Sequence, residues 1–145
     1  MALYELTGDQ TLSEVTPTTF AAAGVWERRD LQAALRKNIA TIDADLMVVA
    51  EEFGEFEGSD RRIDLLCVDR EARLVVIELE RTTDGGHMEL QALRYAAMVS
   101  SMTFEQLVDI YQRFLTRHSG LEARPDARQE LADWIDESGS SDSRV

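Results

Sequence analysis

The chain has 145 residues, 44% hydrophobic and 30% charged, which suits one soluble globular domain and excludes an intrinsically disordered chain. No apolar run approaches the roughly 20 residues needed to cross a bilayer, and the opening MALYELTGDQ lacks a basic-then-apolar leader pattern, so no membrane contact is expected. A formal net charge of −13 is expected to repel nucleic acid at long range, and of 15 basic residues only Lys37 is a lysine.

In chain order, LYEL and TLSEVTP around TGDQ predict a β-hairpin ended by Pro17, and TTFAAAG a short helical turn. Residues 26–40 place Leu31, Leu35 and Ile39 at i, i+4 and i+8, predicting a helix with one buried stripe. DLMVVAEEFGEF reads as a strand entering a turn at EGSD, and RRIDLLCVDREARLVVIELERT supplies two more strands around DREA. TTDGG is a loop before a helix from about His87 to Ser101. Thr103 can cap a further helix, FEQLVDIYQRFLTRH, that ends at Gly120. PDARQELADWIDE predicts a last amphipathic helix with Pro125 in its first turn, and SGSSDSRV a disordered tail. The expected plan is a single domain over 1–137, with the hairpin at 2–17, a core at 26–102, helices at 103–137 and a tail at 138–145. Strands joined by tight turns are antiparallel, so the fold class is α/β (α+β), with helices packed on a three-stranded meander. The lone Cys67 forms no internal disulfide and fits a reducing cytoplasm.

Carboxylates interrupt the last two strands. Side chains alternate along a strand, so Glu78 and Glu80 share a face, about 7 Å apart by the strand rise. If Val68 faces Leu74, then Leu66 faces Val76, Asp64 faces Glu78 and Arg62 faces Glu80. Ile63, Leu65, Cys67, Val75, Ile77 and Leu79 then take the other face. That register sorts polar from apolar, whereas a one-residue slip buries Glu78 among aliphatics. It requires an odd-length loop or a bulge near DREA. Facing carboxylates repel one another unless a cation joins them, and magnesium prefers such hard oxygen ligands. The competing reading pairs the acids with Arg61, Arg62 and Arg81 at a solvated edge.

RRIDLL, then IELER with its first Glu fourteen residues after Asp64, then ELQALRYAAMV, resembles the PD-(D/E)XK nuclease superfamily, and within it the NucS-type endonucleases. The resemblance covers roughly residues 26–102. It implies a restriction-endonuclease-like core and a metal-dependent DNA endonuclease using Mg2+ or Mn2+. It also implies roles residue by residue. Asp64 and Glu78 hold the metal, Gln91 and Tyr95 on the next helix complete the site, and Asp30 supplies the first helix's acid, with Glu27 as fallback. Glu80 stands where the family has lysine. It would serve as a second metal ligand or general base, or else mark an inactive site. Arg81, Arg94 or Lys37 are candidates for the missing positive charge. The family's domain continues with strands beyond these helices, so the final core strand is expected to be missing here. The bared sheet edge would suit a homodimer.

Arg62, Arg81, His87 and Arg94 are the candidate DNA contacts, His87 because glycines and a helix N-terminus can receive phosphate. For His87 the plainer reading is a helix cap. Arg28, Arg29, Arg36 and Lys37 either touch phosphates or form an ordinary solvated helix face. Glu51 and Glu52 are either further ligands or a solvated strand end. Met88, Met98 and Met102 suit core packing, and Trp26 and Trp134 anchor the terminal helices. Two function classes result. One is an endonuclease acting on branched, mismatched or single-stranded DNA. The other is a catalytically inactive nuclease-fold module that binds DNA or a protein partner.

Overall fold

The computed structural model describes residues 2–54, 62–79, 88–118 and 126–140. Two antiparallel strands, β1 (Leu3–Leu6) and β2 (Leu12–Val15), pair from Leu3↔Val15 to Leu6↔Leu12, and every residue of both is exposed. Three more, β3 (Leu46–Phe53), β4 (Ile63–Asp69) and β5 (Leu74–Ile77), form an antiparallel sheet in the order β3-β4-β5. The helices are α1 (Gln32–Lys37), α2 (Met88–Val99), α3 (Phe104–His118) and α4 (Ala127–Ser140). This is the expected α+β class. No helix among the described residues is long and apolar enough to cross a membrane.

The β4–β5 register is the one that the apolar pattern selects, with Val68↔Leu74, Cys67↔Val75, Leu66↔Val76 and Leu65↔Ile77. An odd-length turn makes it possible. Asp69 N–H donates to the Arg73 carbonyl at 3.0 Å, leaving three residues between, and the last, Ala72, is left-handed at φ 61°. The Asp69 carboxylate takes the N–H groups of Glu71 and Arg73 and the Arg73 Nε at 2.6 Å. Burial opposes its ionisation, but these donors hold it below the usual carboxylate range.

The face that carries Asp64 is covered rather than solvated. All seven residues of β4 are buried. Leu66 and Val68 share a core with Tyr95 and Val99 of α2, Leu107, Ile110 and Tyr111 of α3, and Leu131 of α4. Leu65 and Cys67 pack with Leu35 of α1 and with Ile39. A strand covered on both sides reads as one continuous apolar run, as β4 does apart from its acids. Each fully buried aliphatic side chain contributes about 1.5–3 kcal/mol.

The first helix also departs from expectation. Residues 26–40 form a π turn (Glu27–Leu31), α1, and a 3-10 turn (Ile39–Thr41) rather than one helix. Asn38 makes the break: at φ −135° its backbone leaves the helical region, and its side-chain Nδ2 donates to the Ala34 carbonyl at 2.9 Å. Thr103 and Gln106 form a reciprocal capping box at the start of α3. Asp126 caps α4, taking the N–H groups of Arg128 and Gln129. That helix runs to Ser140, so residues 138–140, expected in the tail, are helical.

Candidate functional site

The ladder between β4 and β5 ends at Ile77, and the acids begin there. In place of a further ladder bond, Asp64 Oδ2 accepts the Leu79 N–H at 2.7 Å. Asp64 is 2% exposed, so its carboxylate is fixed inside the fold and joins β4 to the chain leaving β5. Beside Leu79, Glu78 Oε2 accepts a hydrogen bond from Gln91 Nε2 at 3.2 Å, reaching from the first half of α2. One turn further along α2, Tyr95 is 1% exposed and belongs to the core under the sheet. Asp64 and the Glu78–Gln91 pair thus flank the end of β5, with Tyr95 in the core.

Two carboxylates and an amide form an oxygen-rich donor set, the chemistry that a hard divalent cation takes. Among the described residues no three His, Cys, Asp or Glu side chains gather as a metal-holding group. Asp30 lies elsewhere. Its Oδ2 accepts the Trp26 N–H at 2.8 Å and its Oδ1 the Arg29 Nε at 3.1 Å. The Trp26 N–H and then Arg29 hold its pKa below the usual carboxylate value. Glu80, Arg81, His87 and the Glu27 side chain lie outside the described residues.

Arginines gather at the neighbouring sheet corner. Arg62, exposed just before β4, lines a cavity of about 230 Å³ with Arg113 and Arg117 of α3. Sequence reasoning missed the α3 pair, although its signal was present. Two arginines four apart repel across one helical turn unless an anion lies near. Arg94 is exposed on α2, three residues beyond Gln91.

Glu51 is no solvated strand end. Arg36 Nε lies 2.9 Å from its Oε2, and His118 Nε2 lies 2.9 Å from its Oε1. Arg36 Nη1 closes the ring at 3.0 Å from His118 Nδ1. Arginine only donates, so Nδ1 accepts and the proton of the neutral imidazole sits on Nε2, toward Glu51. Burial, and next the Arg36 charge, hold His118 below its ordinary pKa of 6.5, with Arg117 adding to the effect and Glu51 opposing it. Glu52, beside it, is left-handed at φ 49° within β3, a conformation that costs a non-glycine residue about 1–3 kcal/mol.

Of the two tryptophans expected to anchor terminal helices, Trp134 does so, packed against the core, and Trp26 does not. Trp134 lies beneath the Arg70 guanidinium, 3.4 Å from its ring centroid. Trp26 is 66% exposed and anchors no core. Set against protein-family models, curated proteins and solved structures, the chain matches none.

Proposed function

We propose that this protein is a metal-dependent DNA endonuclease that hydrolyses phosphodiester bonds at the β4–β5 end of its sheet. One observation carries the reading. Asp64, which holds the Leu79 N–H, and the hydrogen-bonded pair of Glu78 and Gln91 are the residues to which the sequence resemblance gives metal and water-positioning roles. Asp64 and Glu78 would hold Mg2+ or Mn2+, and their oxygen donors fit such an ion. When bound, the ion supplies Lewis-acid polarisation of a phosphoryl oxygen and a more acidic water. Gln91 orients Glu78, and the buried Tyr95 fixes the α2 turn from which Gln91 reaches. Glu80 takes a proton from water as general base or adds a second carboxylate ligand. Asp30, held by Trp26 and Arg29, is not carried into this site. Arg62, Arg81, His87 and Arg94 are the proposed contacts to the DNA backbone.

The test is incubation with single-stranded, branched and mismatched DNA and millimolar Mg2+ or Mn2+. Metal-dependent cleavage is expected, reduced about a hundredfold or more in Asp64→Ala and Glu78→Ala. Gln91→Ala should lose about tenfold, as a residue that orients a ligand. Cleavage that survives the Asp64 and Glu78 substitutions overturns the assignment. The same metals should raise the melting temperature at pH 7–8 by mass action, fading toward about pH 4, where carboxylates in general protonate.

The glutamate at position 80 favours a second reading, an inactive nuclease-fold module that binds DNA or a protein partner. Glu80→Lys separates the two. An inert natural chain that gains metal-dependent cleavage on this change is the degenerate form.

A further inference from the structure

On the α1 side of the sheet, the π turn, α1 and the end of β3 enclose a cavity of about 490 Å³, the size of a small-molecule site. Trp26 and Arg29 stand at its rim, Gln32 lines it, and Glu52 and the Arg36–Glu51 pair form the wall from the sheet side. Three features of this lining stand out.

Gln32 is 7% exposed, yet its amide makes no hydrogen bond to any described residue. On the cavity wall this amide offers a donor and an acceptor to a molecule that enters. Trp26 offers a flat, largely exposed indole at the same opening. Glu52 holds a left-handed backbone there, and no described residue pairs with its carboxylate.

The chemistry narrows the occupant. A bare anion would meet Glu51 and Glu52. A plain hydrocarbon would leave the Gln32 amide and the Glu52 carboxylate without partners. A planar heteroaromatic ring with in-plane donors and acceptors answers all three groups. It stacks on Trp26, pairs its edge with the Gln32 amide, and donates to Glu52. The geometry points to a nucleobase-binding pocket, in which Arg29, 80% exposed at the rim, meets an attached phosphate. The pocket packs on the face of Leu65 and Cys67, away from the Leu66 face that carries Asp64, and it does not depend on the nuclease reading.

A free nucleotide and a base within a strand offer the same ring, and the measurement distinguishes them. The full chain carrying Trp134→Phe retains Trp26 as its one tryptophan. It is titrated in EDTA with the four common nucleoside 5′-monophosphates, with a 12-nucleotide single-stranded DNA, and with the same DNA carrying abasic sites throughout. Saturable quenching of Trp26 by a monophosphate or by the intact DNA is expected, weakened about tenfold by Gln32→Ala through the loss of its hydrogen bonds. Quenching by the monophosphate identifies a free nucleotide as sufficient, and quenching by the intact DNA alone identifies a base within a strand. Wild-type protein, followed by NMR at the Trp26 indole N–H and the Gln32 side-chain amide, should show the same saturation. It gives the answer if Trp134→Phe does not fold. No saturation by either probe at millimolar concentration overturns the pocket. So does equal response to ribose 5-phosphate or abasic DNA, or binding unchanged in Gln32→Ala.

Discussion

The two β-sheets invite a comparison. β4 and the β1–β2 hairpin are both apolar-rich and antiparallel, yet every residue of β4 is buried and every strand residue of the hairpin is exposed. Ladder hydrogen bonds are common to both, and their net contribution in water is small. A two-stranded hairpin alone is marginal, whereas a central strand with helices on both faces is not. Stability in this chain therefore lies in what covers a strand rather than in what pairs with it.

Truncation should break the comparison open most widely. Leu66→Ala, at a fully buried site, should lower the unfolding free energy by about 3–4 kcal/mol in urea titrations. Leu12→Ala in the hairpin should stay within about 0.5 kcal/mol of the parent. Comparable losses at both positions would mean that the hairpin's apolar side chains are covered in solution. A sharper probe of the β4 side is Cys67, whose thiol burial pushes up to about 12. At pH 8 it should react with a thiol reagent only at the rate of unfolding, and promptly in denaturant. Fast labelling of native protein would show that β4 opens locally.

The smallest expected effect concerns pH. His118 has a folded pKa below its unfolded value of 6.5, so the unfolded chain takes the proton first as pH falls. Its contribution is complete above 6.5 and is lost as pH drops through that value toward the lower folded one. Melting curves between about pH 7.5 and 5.5 should show this slope, and His118→Gln should flatten it. An unchanged slope would assign the dependence to other groups.

Much of the sheet was legible because alternation permits one β4–β5 register and the DREA turn has the matching odd length. Asp64 and Glu78 were legible as facing acids, and Gln91 and Tyr95 through the resemblance; the fold hydrogen-bonds Gln91 to Glu78 and Asp64 to the Leu79 N–H. The second covering of β4 was not legible, since Leu66 and Val68 alternate with acids and look like one half of a solvated face. Nor was the ring of Arg36, Glu51 and His118. Arg36 and His118 lie 82 residues apart, and no local pattern announces a partner at that distance. The break at Asn38 depends on one side chain turning back on its own helix, which an apolar stripe does not register.

The strand order β3-β4-β5 follows the chain, and this has a consequence for how the protein is born. All three strands have been made once residue 77 is added, while the helices that cover the Leu66 and Val68 face span residues 88 to 140. At roughly 5–20 residues per second, a nascent sheet waits on the order of several seconds with that face bare. α1, made first, is ready for the opposite face, so the sheet leaves the ribosome half dressed. The bond from Arg36 to His118 comes late, when α3 arrives to close the Glu51 side. During that interval Asp64, between Ile63 and Leu65, places a charge in an otherwise continuous sticky strand and helps the unfinished chain stay soluble.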